Sequence, residues 1–258
     1  MSQFADNLIA FQTLTRREVR RIARIWTQTL IPPIITTTLY YIIFGKLIGS
    51  RVGSVEGFSY MSYLVPGMIM MSVVNGSYIN ASSSFFGVKF QRSIEEMLVA
   101  PMSPWTILAS YITASIVRGL AVGALVLGVA LCFIHLPVAH IMVALLAVLL
   151  GSGIFGLAGL INGIYAKKFD DVALVPTFVI TPLTYLGGVF YSINMLAEPW
   201  RALSQINPIL YLVNTLRFGM LGVSDVHVGV ALAVMLLFTL ALTVFALYLL
   251  NRGIGLRS

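Results

Sequence analysis

Phe85-Phe86-Gly87-Val88-Lys89-Phe90-Gln91-Arg92-Ser93-Ile94-Glu95-Glu96-Met97-Leu98-Val99-Ala100-Pro101 is a compact amphipathic insert between two long stretches that carry no charge. Uncharged windows over 57–88 and 97–117 overlap its ends, and others cover 25–45, 119–166, 172–197 and 226–251. Each reaches the ~20 residues that an apolar helix needs to cross a hydrocarbon layer. The composition agrees: 59% apolar and 10% charged residues, with a mean hydropathy of +0.94, exceed what a soluble domain carries. The chain therefore reads as an all-α integral membrane protein, with the insert held outside the bilayer.

The 119–166 window is too long for one crossing and is broken at His135-Leu136-Pro137. Six transmembrane helices are expected, over 27–49, 59–82, 105–134, 139–165, 172–190 and 226–250, which puts both termini on one side. That side would carry Arg16, Arg17, Arg20, Arg21, Arg24, Lys89, Arg92, Lys167, Lys168, Arg252 and Arg257, against Lys46, Arg51, Arg201 and Arg217 opposite. The positive-inside rule makes the termini and the insert cytoplasmic. The net charge of +7 is then a topology signal and an attraction to anionic lipid headgroups, with no reason to invoke nucleic acid. The polar, basic start followed by a full-length apolar run reads as a retained anchor and not a cleaved leader. The single Cys132 offers neither an intrachain disulfide nor a thiolate metal site, and no metal site is expected.

At 100° per residue, Leu8, Phe11, Leu14, Val19, Ile22, Ile25 and Trp26 fall on one helical face and Arg16, Arg17, Arg20, Arg21 and Arg24 on the other. Residues 1–26 are expected to lie in the inner headgroup layer, either as a basic topogenic flank alone or also as a surface for a partner. In the insert, Ser93-Ile94-Glu95-Glu96 fits a capping box, so a short helix should start there. Ile94, Met97 and Leu98 share one face, Phe86 and Phe90 lie a turn earlier, and Pro101 and Pro104 end the run. Apolar residues between charges outside the bilayer suit a groove in a partner, or a snorkelling interfacial loop.

Within the spans, Gly119-Leu120-Ala121-Val122-Gly123 and Gly159-Leu160-Ile161-Asn162-Gly163 are small-xxx-small patterns that let helices approach closely. Pro32, Pro33, Pro66, Pro176 and Pro182 predict kinks. Arg118 is a buried charge near the middle of the third span, where it must face protein or water. Two readings stand for it: a clamp on carbonyls or a re-entrant segment, and a contact with an anionic substrate or headgroup. Residues 191–225 neither span cleanly nor read as a soluble loop. Two short helices dipping into the outer leaflet, broken at Asn207-Pro208, fit them.

Pro182-Leu183-Thr184-Tyr185-Leu186-Gly187-Gly188-Val189-Phe190-Tyr191, followed by Leu196, Pro199-Trp200, Asn207-Pro208 and Arg217, resembles the C-terminal pattern of type-two ABC transporter permeases. The likeness covers essentially the whole chain, including Phe90-Gln91-Arg92-Ser93-Ile94-Glu95-Glu96 and Phe169-Asp170-Asp171. One departure is Ser192, where such proteins often have proline, which puts the turn geometry there in question. The resemblance implies one permease domain over 1–258: a connecting helix (1–26), a six-helix membrane domain (27–250) and a cytoplasmic tail (251–258). It maps a coupling helix onto Phe85–Pro101, with Phe86, Phe90, Gln91, Arg92, Ser93, Ile94, Glu95, Glu96, Met97 and Leu98 facing an ATPase. Arg17, Arg20, Arg21 and Arg24 belong to the connecting helix, and residues 191–220 to outer-side re-entrant helices. It further implies a bacterial inner membrane, a second permease copy forming a homodimer, surrounding membrane lipid, and a separate ABC ATPase subunit that binds ATP and Mg.

The sequence has no G-x-x-x-x-G-K-[ST] phosphate loop, so the chain is expected to be a transporter subunit and not itself an enzyme, with no cofactor of its own. The expected activity is ATP-driven export of an amphipathic, lipid-like, glycan or drug-like substrate. Tyr60, Tyr63, Met68, Met71, Asn75, Thr181 and Tyr185 are candidates for its path, though all could simply pack. An ion-coupled carrier would place acids or histidines within its spans, whereas His135, His140 and His227 fall at outer connections and the spans hold no acid. A membrane enzyme would need a catalytic constellation, and neither H-E-x-x-H nor a paired intramembrane carboxylate is present. A non-transporting membrane scaffold predicts the same architecture without an ATPase partner.

Overall fold

Proline and glycine punctuate the apolar runs, and helices fill the intervals between them. The computed structural model describes residues 3–100 and 102–255. The side chains of Lys46 and Leu98, together with Pro101 and Arg257, named above, lie outside the described residues. The chain is almost wholly helical: α1 (Gln3–Arg24), α2 (Trp26–Tyr40), π-helical turns over Tyr41–Ile48, and α3 (Gly49–Val52) come first. A two-stranded hairpin, β1 (Ser54–Val55) and β2 (Phe58–Ser59), leads into α4 (Tyr60–Phe90), α5 (Ile94–Val99), α6 (Pro104–Leu131) and α7 (Ile141–Tyr165). Then follow α8 (Phe169–Val175), a π-helical turn (Pro176–Ile180), α9 (Thr181–Leu186), a 3-10 turn (Ile193–Met195), α10 (Trp200–Ile206), α11 (Pro208–Leu221) and α12 (Val228–Arg252).

Among the described residues four helices are long and apolar enough to cross a membrane: α6, α7, the continuous Phe169–Leu186 rod, and α12. They match the expected third to sixth spans within a few residues. The expected first span forms the helix running from α2 through α3, and the second is α4. The lower apolarity of α4 has a structural reason. α4 carries Ser72, Asn75, Ser77, Asn80, Ser82, Ser83 and Ser84 yet is mostly buried, because α6 and α7 pack along it, and a helix walled by protein need not be apolar all round. α12 is the opposite case, exposing Leu236, Leu237, Leu240 and Val244, as a lipid-facing helix does.

α7 lies against the backbone of α4. A Cβ on Gly159 would collide with the Tyr78 carbonyl, and one on Gly163 would stand 3.0 Å from the Ser82 carbonyl oxygen. The small-xxx-small reading of 159–163 therefore describes a helix contact at backbone distance. Gly119 likewise faces the hydroxyls of Ser152 and Ser77. Asn162, between the two glycines of α7, donates to the carbonyls of Asp171 and Val172 at 3.4 Å each. Pro176 has no N–H with which to reach Val172 four residues back, so Asn162 supplies a donor where the proline left none.

Asn7 and Gly255, near the two ends of the described chain, lie at the same end of the bundle. Asn7 on α1 accepts from the Ser103 amide and the Thr106 hydroxyl at the start of α6 (2.8 and 3.0 Å). Gly255 lies against the Ile164 carbonyl at the end of α7, to which Lys89 of α4 also donates at 2.6 Å.

The opposite end is closed by buried charge. Arg217 on α11 is completely buried, donates to the Gly188 carbonyl at 2.7 Å, sits 3.9 Å over the Tyr63 ring and pairs with Asp225 at 3.6 Å. Asp225 also accepts from the Ser192 hydroxyl (2.5 Å) and the Ile193 amide (3.1 Å). Ser192, the departure from proline, thus anchors the turn by its side chain. The β1–β2 turn, with positive φ at Glu56 (52°) and Gly57 (83°), brings the Glu56 carboxylate to 3.4 Å from the same hydroxyl. Burial and the neighbouring Asp225 push the Glu56 carboxyl above its ordinary range. Arg217, counted above among the charges opposite the termini, is thus a buried, paired side chain at that end of the bundle. It is Arg217 that bonds the Gly188 carbonyl and pairs with Asp225 in this segment.

Two predictions follow from this packing. Gly159→Ala and Gly219→Ala, the latter placing a Cβ 2.5 Å from the Ala144 amide nitrogen, should each destabilise the protein by roughly 1–3 kcal/mol through overpacking. Gly128→Ala, with nothing within 4 Å, should be neutral or stabilising; thermal unfolding in detergent reads all three. Arg217→Met should cost about 3–5 kcal/mol because it strands Asp225. The double variant with Asp225→Asn should then cost clearly less than the sum of the two single variants.

Candidate functional site

The end that gathers the termini presents one continuous surface made by α1, the last turns of α4, and α5. Phe85–Phe90 of the expected insert are helical and continue α4, a correction to the second span ending near residue 82. Nothing in Ser82–Phe90 interrupts the helix, and Lys89 ties its last turn to α7. The chain turns at Arg92, whose φ is +60°. The capping box at Ser93 does not form: Ser93 is already in the right-handed helical region and makes no side-chain cap bond. The Glu95 amide bonds the Arg92 carbonyl instead, at 3.1 Å.

α5 turns its apolar residues inward. Ile94 and Met97 are buried with Leu14, Phe85, Leu108 and Leu160, so they hold the short helix to its own chain and do not lie open for a partner groove. What α5 and its approach expose is Phe90 (61%) and Val99 (86%), with Gln91, Arg92, Glu95 and Glu96 around them. Phe86 is buried, and its ring and that of Phe90 each stand 4.9 Å edge-on from Phe169. Cavities of about 450 and 890 Å³ flank this tip. The first is lined by Phe90, Glu95 and Lys167, and the second by Arg16, Arg17, Arg20, Arg21 and Arg24.

α1 is amphipathic, but its arginines do not all face away from the protein. Leu14, Glu18 and Ile22 form its buried stripe. Glu18 is 1% exposed and accepts from Ser84 of α4 at 2.5 Å, from Arg17 at 3.3 Å and from Arg21 at 3.2 Å. Arg21 also donates to the Asn80 side chain at 2.8 Å, and Arg17 to the Tyr111 hydroxyl at 3.2 Å. Arg16, Arg20 and Arg24 remain exposed. The connecting segment is thereby bonded to α4 and α6 through charge-assisted hydrogen bonds, the stronger kind. Glu18 is not singled out by the sequence pattern, because an acid among five arginines reads as part of the polar face until the fold places Ser84 beside it. Its signal was an acid at the i+4 position between Leu14 and Ile22.

The residues assigned to a substrate path divide into separate places. Tyr60, bonded to the Phe190 carbonyl at 3.0 Å, and Tyr63, bonded to Asp225 at 3.4 Å, belong to the closed end beside Arg217. Tyr185 stacks on Phe190, while Thr181 bonds back to the Pro176 carbonyl at 2.9 Å. Met68, Met71 and Asn75 line a lateral groove between α2 and α4. Its two cavities, about 230 and 100 Å³, share Thr36, Met71 and Ser72. Arg118 of α6, 7% exposed, lines the larger one.

The family model described as "ABC-2 type transporter" matches residues 9–221. The chain is 50% identical over 250 residues to the inner membrane transport permease YadH of Escherichia coli K12, covering 97% of this chain and 98% of that one. It is 23% identical over 192 residues to nodulation protein J of Rhizobium meliloti, covering 74% and 73% of the two chains. The matched region takes in most of α1, the α4–α5 tip, the lateral groove and Arg217, so what they build is the membrane part of a transporter, and the chain belongs to the ABC-2 type transporter family.

Proposed function

We propose that this chain is the permease subunit of an ATP-driven exporter in a bacterial inner membrane, working with a separate ABC ATPase and a second permease copy. The observation that carries the reading is the tip of α4 and α5. Its exposed Phe90 ends α4, which runs without a break past the lateral groove to the Arg217 cluster, and its exposed Glu95, Glu96 and Val99 stand on α5 just beyond the turn at Arg92. Force applied there is delivered along a rigid rod braced by α7 and, through Glu18, by α1. Rigid-body motion of such helices is a standard route from a nucleotide-driven push to altered access at a distant cavity.

In this reading the helix through α2 and α3, then α4, α6, α7, the Phe169–Leu186 rod and α12 make six crossings. The termini and the α4–α5 tip are cytoplasmic, where the exposed arginines of α1 meet the headgroups. The hairpin of α10 and α11 re-enters from the outer side. Its backbone is satisfied there by protein: Asn207 donates to the Leu183 carbonyl at 2.5 Å and accepts from the Ile209 amide at 2.9 Å, as a non-spanning segment at membrane depth requires. YadH is described as an inner membrane transport permease, which favours the same location and class of work for its relative here. The substrate is an amphipathic molecule of lipid-like, glycan or drug-like character, entering by the lateral groove.

The test is co-purification with ABC ATPase subunits of the same genome, followed by ATP hydrolysis in lipid. Wild type should form a stable complex. Phe90→Ala with Glu95→Ala and Glu96→Ala should weaken it by about tenfold or more, as loss of central interface anchors does. Glu18→Gln leaves the tip intact but loosens α1, so it should still bind the ATPase while losing much of the complex's hydrolysis. Failure to capture any such ATPase would overturn the reading.

A further inference from the structure

Among the described residues, the lateral groove contains a cation without a counter-ion. Arg118 is only 7% exposed, and among the described residues its Nε has no hydrogen-bond partner. Its cavity is walled by Gln28, Thr36, Ser72 and Asn75, and among the described residues no carboxylate lines it. Gly76 lies beside the guanidinium: a Cβ there would be in ordinary contact with it, 4.0 Å from Nε. The other buried arginine also has an unbonded Nε, but its charge is answered: Arg217 has Asp225, a carbonyl and an aromatic face. An arginine keeps its charge at any ordinary pH, and a charge at this depth is held against protein or water or by a ligand.

The groove also has the right access. Thr36, Met71 and Ser72 join its two cavities, and the outer face of α2 beside it exposes Ile31, Ile35 and Leu39. Arg118 is seven residues along α6 from Tyr111, which the connecting helix contacts through Arg17. At ~1.5 Å per residue it lies about 10 Å deeper than that level. A headgroup arriving from the inner leaflet would meet polar Gln28 and Asn75 on the way, with its tails left against the apolar face of α2.

We infer that Arg118 and the polar wall of the α2–α4 groove form a binding site for the anionic phosphate headgroup of an amphipathic molecule entering sideways from the membrane. The inference rests on the exporter reading for its meaning in transport. Its binding test is made without ATPase, so its failure leaves that reading standing. The full chain in neutral maltoside detergent would be titrated with short-chain phosphatidylglycerol and, separately, with phosphatidylcholine of the same chains, and binding read by native mass spectrometry. The anionic lipid should bind in preference. Arg118→Gln should weaken it by about tenfold, the worth of a charged hydrogen bond, and Arg118→Lys should retain part of it. Thr36→Leu, which fills the groove and leaves the arginine, should also weaken it, and this variant decides the matter should Arg118→Gln not fold. Competition by inorganic phosphate would identify the phosphate group itself as what is read, and its failure to compete would identify the lipid; both support the site. Equal binding of the two lipids, or unchanged binding in Arg118→Gln or Thr36→Leu, overturns it. Disulfide pairing between copies of Thr36→Cys in a Cys132→Ser background, which would make the groove a subunit interface, overturns it as well.

Discussion

The structure depends on α7 resting directly on the backbone of α4. Gly159 and Gly163 present no side chain to the Tyr78 and Ser82 carbonyls, so the two helices meet at a separation that any larger residue would prevent. In a membrane there is little hydrophobic gain in bringing helices together, and close packing of this kind does much of the work. Because it is fixed there, α4 can be long and polar and still lie inside the bundle. It carries Tyr63 to the closed end, Met71 and Asn75 to the groove, Ser84 to the connecting helix and Phe90 to the exposed tip.

Glu18, Arg217 and Arg118 mark three different solutions to one physical problem. Glu18 is surrounded by two arginines and a serine, and Arg217 by an acid, a carbonyl and a ring. Each joins elements far apart in sequence, and removing one partner would leave a charge stranded at a cost of several kcal/mol. Those two sites are fastenings, one at each end of the rod. Arg118 lies between them and differs from Arg217 in that, among the described residues, no carboxylate lines the cavity in front of it.

Much of this was legible in the sequence. Spacing of charge placed the long helices within a few residues, and the glycine pairs marked close contacts. Asn207-Pro208 marked the break between α10 and α11. The buried position of Arg118 was legible too, because a charge within an apolar run has few other options. What failed were inferences that needed to know a neighbour. The capping box at Ser93 was locally consistent, but the chain had already turned at Arg92. Ile94 and Met97 looked like a surface for a partner because nothing in the sequence shows that Leu14 and Leu108 cover them. Arg217 was counted with the outer charges because Asp225 and Gly188 reach it only after the chain folds back. The Glu56-Gly57 turn went unnoticed, although two positive φ angles at a Glu-Gly pair make an ordinary tight hairpin.

The central claim is that the α4–α5 tip is where an ATPase engages this chain. Site-specific photo-crosslinking in living cells addresses it directly, with the photoreactive residue at position 95 and, as a control, at 142 near the opposite end of the bundle, where Met142 is 76% exposed. The account predicts an adduct with an ABC ATPase from position 95 and none from 142. An adduct from 142, or none from 95 while the protein is correctly inserted, would contradict it.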